Sequence, residues 1–455
     1  SGFKKQPSDR VNLRINSKRI MNYFIDQIGV ENNSTSKYKK IPDWVKSLDT
    51  SLLKGFLNTL VLGDGSHIDN KNSLAWKYYT ISPQLADDVQ EIAFKCGYAP
   101  SISTKQLKSN NVEYCVSWSN AQDGNYPILT PNNSYPEKIQ EVDYDGVVWC
   151  FEVPTGLFIT RRNGKMTIQG NSKYAQADNM INPLTLVKIG SADFKPTFAD
   201  LEAWRNVFEC HDEETEVLTD QGFKNFNDVI DYTENDGQLS NIIPKNNIKI
   251  ACFNPENDQL EYHAPLNASL YNYDGDMHHF ANEKVDIKVT PNHKMWISEK
   301  KYEYNGHRSL RKTYYDKWKK VEAKDIILND TIKFRSQINW EGVDLKEIDI
   351  CGKNVPIELY LEFLGYLLSE GCLYTNHNST YLINVSQTVT KYYEQMKTCF
   401  DRLSLCLDKS YCSRIEKRSE YTENCQDIWT GTFNGKAIYD HFKNEVQDKD
   451  GGVKS

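Results

Sequence analysis

The sequence predicts a multidomain α+β protein, and three observations carry the prediction. The chain has 455 residues, room for several domains with sizeable cores. Apolar residues recur at helical spacing over much of 8–60 and again from 355 onward. At 76–168 and 210–340, short runs rich in β-branched and aromatic residues alternate with turn residues, which is the pattern of strands.

Taken in order, 16–28 carries a helical stripe, and "IPDWVKSLDTSLLKGFLNTLVLGDG" at 41–65 carries a longer one. "WKYYTIS", "EYCVSWS", "VVWCFEV", "GLFIT" and "KMTIQ" read as strands, with turns such as Asn163-Gly164 between them. Residues 172–209 differ, being loop-like at first and then helical through "FADLEAWRNVFE". β signals return with "TEVLTDQGF", "IKIACFN", "VDIKVT", "HKMWIS" and "TIKFR", and "PIELYLEFLGYLLSEGCLYT" opens a final region of mixed helix and strand. One repeat stands out. Asn16, Lys18, Ile20 and Phe24 recur at identical spacing as Asn434, Lys436, Ile438 and Phe442, each set reading as a strand end that opens a helix.

Charged residues are 25% and hydrophobic ones 39%, which is ordinary for soluble globular protein. No apolar run approaches a membrane span and no signal peptide opens the chain, so no membrane partner is expected. The eleven cysteines are dispersed, without a CxxC pair or metal-ligand spacing. That fits reduced thiols inside a cell, in a cytoplasmic setting. Net charge −8 does not point to nucleic acid globally. Locally, 299–320 holds eight Lys/Arg against three acids, interleaved with Tyr and Trp. Arg311, Lys317, Lys319 and Lys320 in that stretch are candidate contacts to double-stranded DNA. A solvated charged hairpin is the competing reading. The missing initiator Met and the abrupt end read as cuts through a longer chain.

Four places carry chemistry. At Asn171-Ser172 an apolar strand runs into Asn followed by a hydroxyl residue. An Asn side-chain amide can attack its own peptide carbonyl and release the segment after it, and Ser172 can act as acyl acceptor if its hydroxyl is activated. Cys210 opens a polar turn before "TEVLT". Thr290 and His293, in "TPNH" at a strand end, are placed to hold the carbonyl of one peptide bond and protonate its nitrogen. Each feature alone has a bland structural reading: a turn, a buried Cys, a satisfied core His.

Together these blocks resemble an intein, a self-splicing insert. "TEVLTDQGF" after Cys210 is similar to the N-terminal splicing block, "TPNH" to the block with the catalytic Thr and His, and "VVWCFEVPTGLFITRRNGKMTIQGN" to the two C-terminal blocks. The resemblance implies an all-β Hint splicing fold. Cys210 would convert the Glu209–Cys210 bond to a thioester, Asn171 would cyclise, and Ser172 would accept the acyl group, with no cofactor for splicing. Two departures are visible. Gly170 stands where many inteins carry His, and Gly156 and Leu157 stand where another His is common, so the proton must come from elsewhere, such as water. Cys150 stands where Asp is frequent and is given a helper role.

"FLNTLVLGDG" at 56–65 and "FLGYLLSEG" at 363–371 resemble the LAGLIDADG motif of homing endonucleases, and "IPDWV" at 41–45 adds to the likeness. The implied fold is a mixed α/β nuclease in two halves. Its paired helices bring Asp64 and Glu370 to DNA as Mg2+ ligands. Acids at helix C-termini oppose the macrodipole, which weakens a purely structural role.

The implied domains are 1–135 (endonuclease, second motif), 136–171 (C-terminal splicing segment), 172–209 (host segment), 210–340 (N-terminal splicing domain) and 341–455 (endonuclease, first motif). This order is inverted relative to a usual intein. The expected function is protein splicing with an embedded Mg2+-dependent homing endonuclease, on a fragment spanning two inteins with complementary intein halves as partners. The alternatives are a permuted intein that cyclises 172–209 and an inactive insert that only binds DNA.

Overall fold

A computed structural model describes residues 10–28, 36–70, 73–120, 126–130, 139–171, 209–235, 238–304, 311–326, 331–375, 381–388, 392–416 and 428–429. The fold is mixed α+β and rich in strand. Among the described residues no helix is long and apolar enough to cross a membrane. Ser172 and the second copy of the repeat, at 434–442, lie outside these residues, as does the helix expected before 209. The chain divides into two units. One comprises Ser1–Cys96, Ser103–Ser117 and Glu341–Ser455; the other comprises Gly97–Ile102 and Trp118–Trp340.

In the first unit, Arg10–Asn16 is a strand, not helix, and it pairs antiparallel with both Tyr381–Thr388 and Cys412–Glu416. It leads through Ser17 into the Lys18–Ile28 helix, the strand–helix joint expected at Asn16. The helical stripe of 41–65 breaks in two, at Asp43–Lys46 and Thr50–Asp64, because Asp49 caps the second helix by accepting from the Ser51 amide. Thr50–Asp64 and Ile357–Glu370 each end on an acid, followed by a Gly that opens a strand. The two helices pack through small residues. A Cβ added at Gly365 would meet Thr59 Cβ and Cγ2 at 2.8 Å, and one at Gly63 would run into Ser369.

The Pro83–Lys95 helix, which the reading of 76–168 did not include, interrupts a region that is otherwise mainly β. Ser82 caps it by accepting from the Leu85 amide at 3.1 Å, and Pro83 sits at its first position.

In the second unit, Ile139–Glu152 and Asn267–Ala281 pair antiparallel along their lengths, from Glu152 opposite Asn267 to Ile139 opposite Phe280. With His211–Asp212 and Asp286–Val289 they close a small barrel. A hairpin of Leu157–Arg162 and Lys165–Gly170 turns at Asn163-Gly164, both with positive φ, as the dipeptide predicts. Leu157–Arg162 also pairs with Glu216–Thr219 and Ile250–Asn254. Lys165–Gly170 meets the Lys294–Tyr304 strand at Met295 opposite Gln169. Trp149, Phe151 and Phe158, all fully buried, are central to the core.

Candidate functional site

The Glu209–Cys210 peptide bond is clamped from two sides. Cys210 is buried, one residue ahead of the His211–Asp212 strand. Its amide donates to Thr290 Oγ1 at 2.9 Å, and its carbonyl accepts from the Thr290 amide at 3.0 Å. Thr290 ends the Asp286–Val289 strand, and the turn after it, with the His293 amide donating to the Thr290 carbonyl at 3.0 Å, brings His293 back to the same bond. Burial holds the His293 imidazole down at about 4; the Glu209 backbone beside it pulls the other way, while Lys294 and Lys320 depress it further. His211 meets His293 edge-on, with ring centroids 4.3 Å apart. Burial, and then His293, push His211 well below the usual range. Both rings are therefore neutral near pH 7 and able to accept a proton. Burial first, then Cys150 and Glu209, push the Cys210 thiol well up.

Among the described residues, His211 Nε2, both ring nitrogens of His293, Asn292 Nδ2 and Gln169 Oε1 are buried without a hydrogen-bond partner. Such atoms are scarce in folded proteins. Three of them belong to the two imidazoles beside one peptide bond, while Tyr78, Trp296, Ser336 and Tyr360 hold others elsewhere.

Asn171 is buried at the end of Lys165–Gly170. Its amide donates to the Gly156 carbonyl at 3.1 Å, and Nδ2 donates to the Val153 carbonyl at 3.3 Å. Lys320 Nζ donates to that same Gly156 carbonyl at 2.7 Å. Gly156 has φ +71, and a Cβ on it would meet Lys320 Nζ at 2.7 Å and Asn171 Oδ1 at 3.4 Å. An ammonium thus stands close to where the resemblance would place a His. At Gly170 a Cβ would run into the Lys294 carbonyl, so no side chain fits before Asn171.

Sequence reasoning missed the residue that braces this region. Arg162 is buried and pairs with Asp286 at 2.6 Å, with Asp212 at 3.0 Å, and with Glu214. It ties the hairpin to the two strands flanking Cys210. The Arg161-Arg162 pair just before a hairpin turn was the only signal for it. His211, immediately after Cys210, was also passed over. Cys150 lies buried on the Ile139–Glu152 strand, its Sγ 3.5 Å from the Phe151 carbonyl.

The basic stretch is largely engaged within the protein. Lys319 and Lys301 share Glu299, at 3.0 and 2.7 Å, and Lys320 holds Gly156. Lys317 is exposed, and the Arg311 side chain lies outside the described residues.

In the first unit, Asp64 and Glu370 stand at the C-terminal ends of the two tightly packed helices. Both act on buried Lys39, whose Nζ donates to the carbonyls of Leu368 at 2.7 Å, Gly371 at 2.9 Å and Leu367 at 3.3 Å. Burial pushes Lys39 down, opposed by Asp64, Cys372 and Glu370. Burial also pushes Asp64 up to about 6, opposed by Lys39, although its side chain reaches solvent. Gln387 Nε2 donates to Glu370 at 3.0 Å. The Lys39 ammonium occupies the carbonyls here, which leaves the two carboxylates as oxygen donors for a cation. Among the described residues no group of three or more His, Cys, Asp or Glu is arranged to hold a metal.

No protein-family model and no solved structure matches the chain. It is similar to the C-terminal section of the DNA-directed RNA polymerase subunit beta of Stigeoclonium helveticum, at 27% identity over 204 residues. The match covers 37% of this chain and spans 18% of that relative. This finding corrects the functional expectation. The relative is named for RNA synthesis, and neither splicing nor homing belongs to that name. Intein-mediated splicing with an embedded homing endonuclease is therefore set aside as the function, together with its permuted and inactive-insert variants.

Proposed function

We propose that the second unit contains a self-processing centre, in which the protein rearranges its own Glu209–Cys210 peptide bond. The clamp on that bond carries the reading: Thr290 Oγ1 sits on its nitrogen and His293 stands beside the Glu209 backbone. In the reaction, Cys210 Sγ adds to the Glu209 carbonyl carbon while a neutral imidazole takes the thiol proton. The C–N bond then breaks, and the same proton passes to the freed Cys210 amine. The product is a thioester, and the reverse step restores the peptide. Because burial keeps the thiolate scarce, the reaction is slow without that base.

Hydroxylamine at neutral pH tests this reading, because it attacks thioesters far faster than amides. Intact mass should reveal two pieces cut between 209 and 210, and Cys210→Ala should give none. A wild-type chain that stays whole under this treatment overturns the proposal.

At the level of fold alone, we propose that the barrel with its hairpin is Hint-like and that the two acid-ended helices form a LAGLIDADG-like pair. Asp64 and Glu370 then form an oxygen site for Mg2+, tested by calorimetric titration of Mg2+ into wild type and Asp64→Asn. Double-stranded DNA is a further proposed partner, with exposed Lys317 as a phosphate contact. Fluorescence anisotropy of a labelled duplex, with and without Lys317→Ala, tests that contact; unchanged affinity and salt dependence would remove it.

A further inference from the structure

The strand register places a second thiol opposite Cys210. His211 pairs antiparallel with Trp149, and Asp212 with Val148. One step back, the same register sets Cys210 across from Cys150. Directly opposite residues of an antiparallel pair point to one face, with Cα atoms about 4.5 to 5.5 Å apart. That spacing falls within the range a disulfide requires, about 4.4 to 6.8 Å. The side chains of the neighbouring pair bear out the register, since the Trp149 and His211 rings lie 5.4 Å apart. Cys150 and Cys210 belong to one buried cluster, neither is in a disulfide, and Cys150 is the strongest charged-state neighbour of Cys210.

We propose that Cys150 and Cys210 form a redox-sensitive pair, which a small peroxide closes into a cross-strand disulfide. Cys150 is then the lock on the nucleophile, a role distinct from the helper of acyl transfer expected from the sequence. In the first step the sulfur of one cysteine attacks a peroxide oxygen; the O–O bond breaks, a sulfenic acid forms and one water leaves. In the second, the other thiol attacks the sulfenic sulfur, the S–S bond forms and a second water leaves. Two thiols lose two electrons and two protons, and hydrogen peroxide is reduced to two waters. The barrel accommodates the bond without moving a strand, because the register already sets both residues opposite each other. The consequence for the Glu209–Cys210 bond rests on the self-processing reading; the disulfide itself does not.

The experiment uses the full chain, treated with hydrogen peroxide and quenched with an alkylating agent. Peptide mapping without reductant should recover a 150–210 cross-linked peptide that dithiothreitol dissolves, and Cys150→Ala should lack it. If the 150- and 210-containing peptides emerge alkylated and unlinked in wild type, the pairing is wrong; linkage of Cys210 to another cysteine overturns it equally. Mapping reads the bond whether or not the backbone rearranges. The hydroxylamine assay, repeated on oxidised chain, reads its effect: cleavage at 209–210 should be lost on oxidation and return with dithiothreitol, while Cys150→Ala should resist that reversible loss.

Discussion

At the scale of single residues, the site depends on side chains that satisfy groups they do not resemble in sequence. Thr290 does this for the Cys210 amide. Thr290→Val keeps the shape but leaves a buried N–H without its acceptor, which should cost about 1–3 kcal/mol. Urea unfolding should show that loss, and hydroxylamine cleavage at 209–210 should slow with it. Arg162 has more partners. Removing it by Arg162→Ala takes the shared guanidinium from Asp212 and Asp286, which keep Lys288 at 3.8 Å and His279 at 3.0 Å, so the loss should be about 1–3 kcal/mol. A loss under 1 kcal/mol would mean the network is not what braces the hairpin. The contrast shows what was legible. Cys210, Thr290, His293 and Asn171 each sit in a short local pattern, so the sequence exposed them. Arg162, Lys320 and Lys39 work through partners 50 to 332 residues away, and no local pattern encodes such pairings.

At the scale of elements, two helices show how packing overrides pattern. Pro83–Lys95 escaped the helical reading because Asp88, Glu91 and Lys95 interrupt its apolar stripe. All three are buried, and they are tolerated because Lys46 meets Asp88 at 3.1 Å and Glu91 at 3.3 Å, while Lys95 meets Glu91 at 2.7 Å. Ser82-Pro83 was the signal that announced the helix. The acid-ended helices, by contrast, were legible throughout, since each is a continuous apolar run closed by Gly. What the sequence withheld is why Gly365 must be Gly: Thr59 of the other helix occupies the place of its Cβ. Gly365→Ala should therefore destabilise the first unit by about 1–3 kcal/mol through overpacking, despite Ala being the better helix former. It should also weaken any Mg2+ binding, by moving Glu370 away from Asp64. Stabilisation in thermal unfolding would show that the helices separate freely at this point.

At the scale of the whole molecule, the two units carry titrating groups of opposite sign. In the second unit, burial holds His293 at about 4 and His211 well below its usual range. The unfolded chain, with His near 6.5, binds more protons than the folded one between those values. Stability from these rings is thus complete above about 6.5 and is lost as pH falls toward 4, by about 3 kcal/mol for His293 alone. In the first unit Asp64 behaves conversely. Its folded value, about 6, lies above the unfolded one near 3.8, so the folded chain binds the extra proton. Its contribution is complete below the unfolded value and is lost as pH rises through 6, and solvent contact makes it smaller than that of His293. The checks are differences between variants. From pH 7 to pH 5, His293→Gln should lose less thermal stability than wild type, whereas Asp64→Asn should lose more. Parallel profiles for wild type and His293→Gln would mean that the ring titrates alike in the folded and unfolded chain, so that burial does not hold it down.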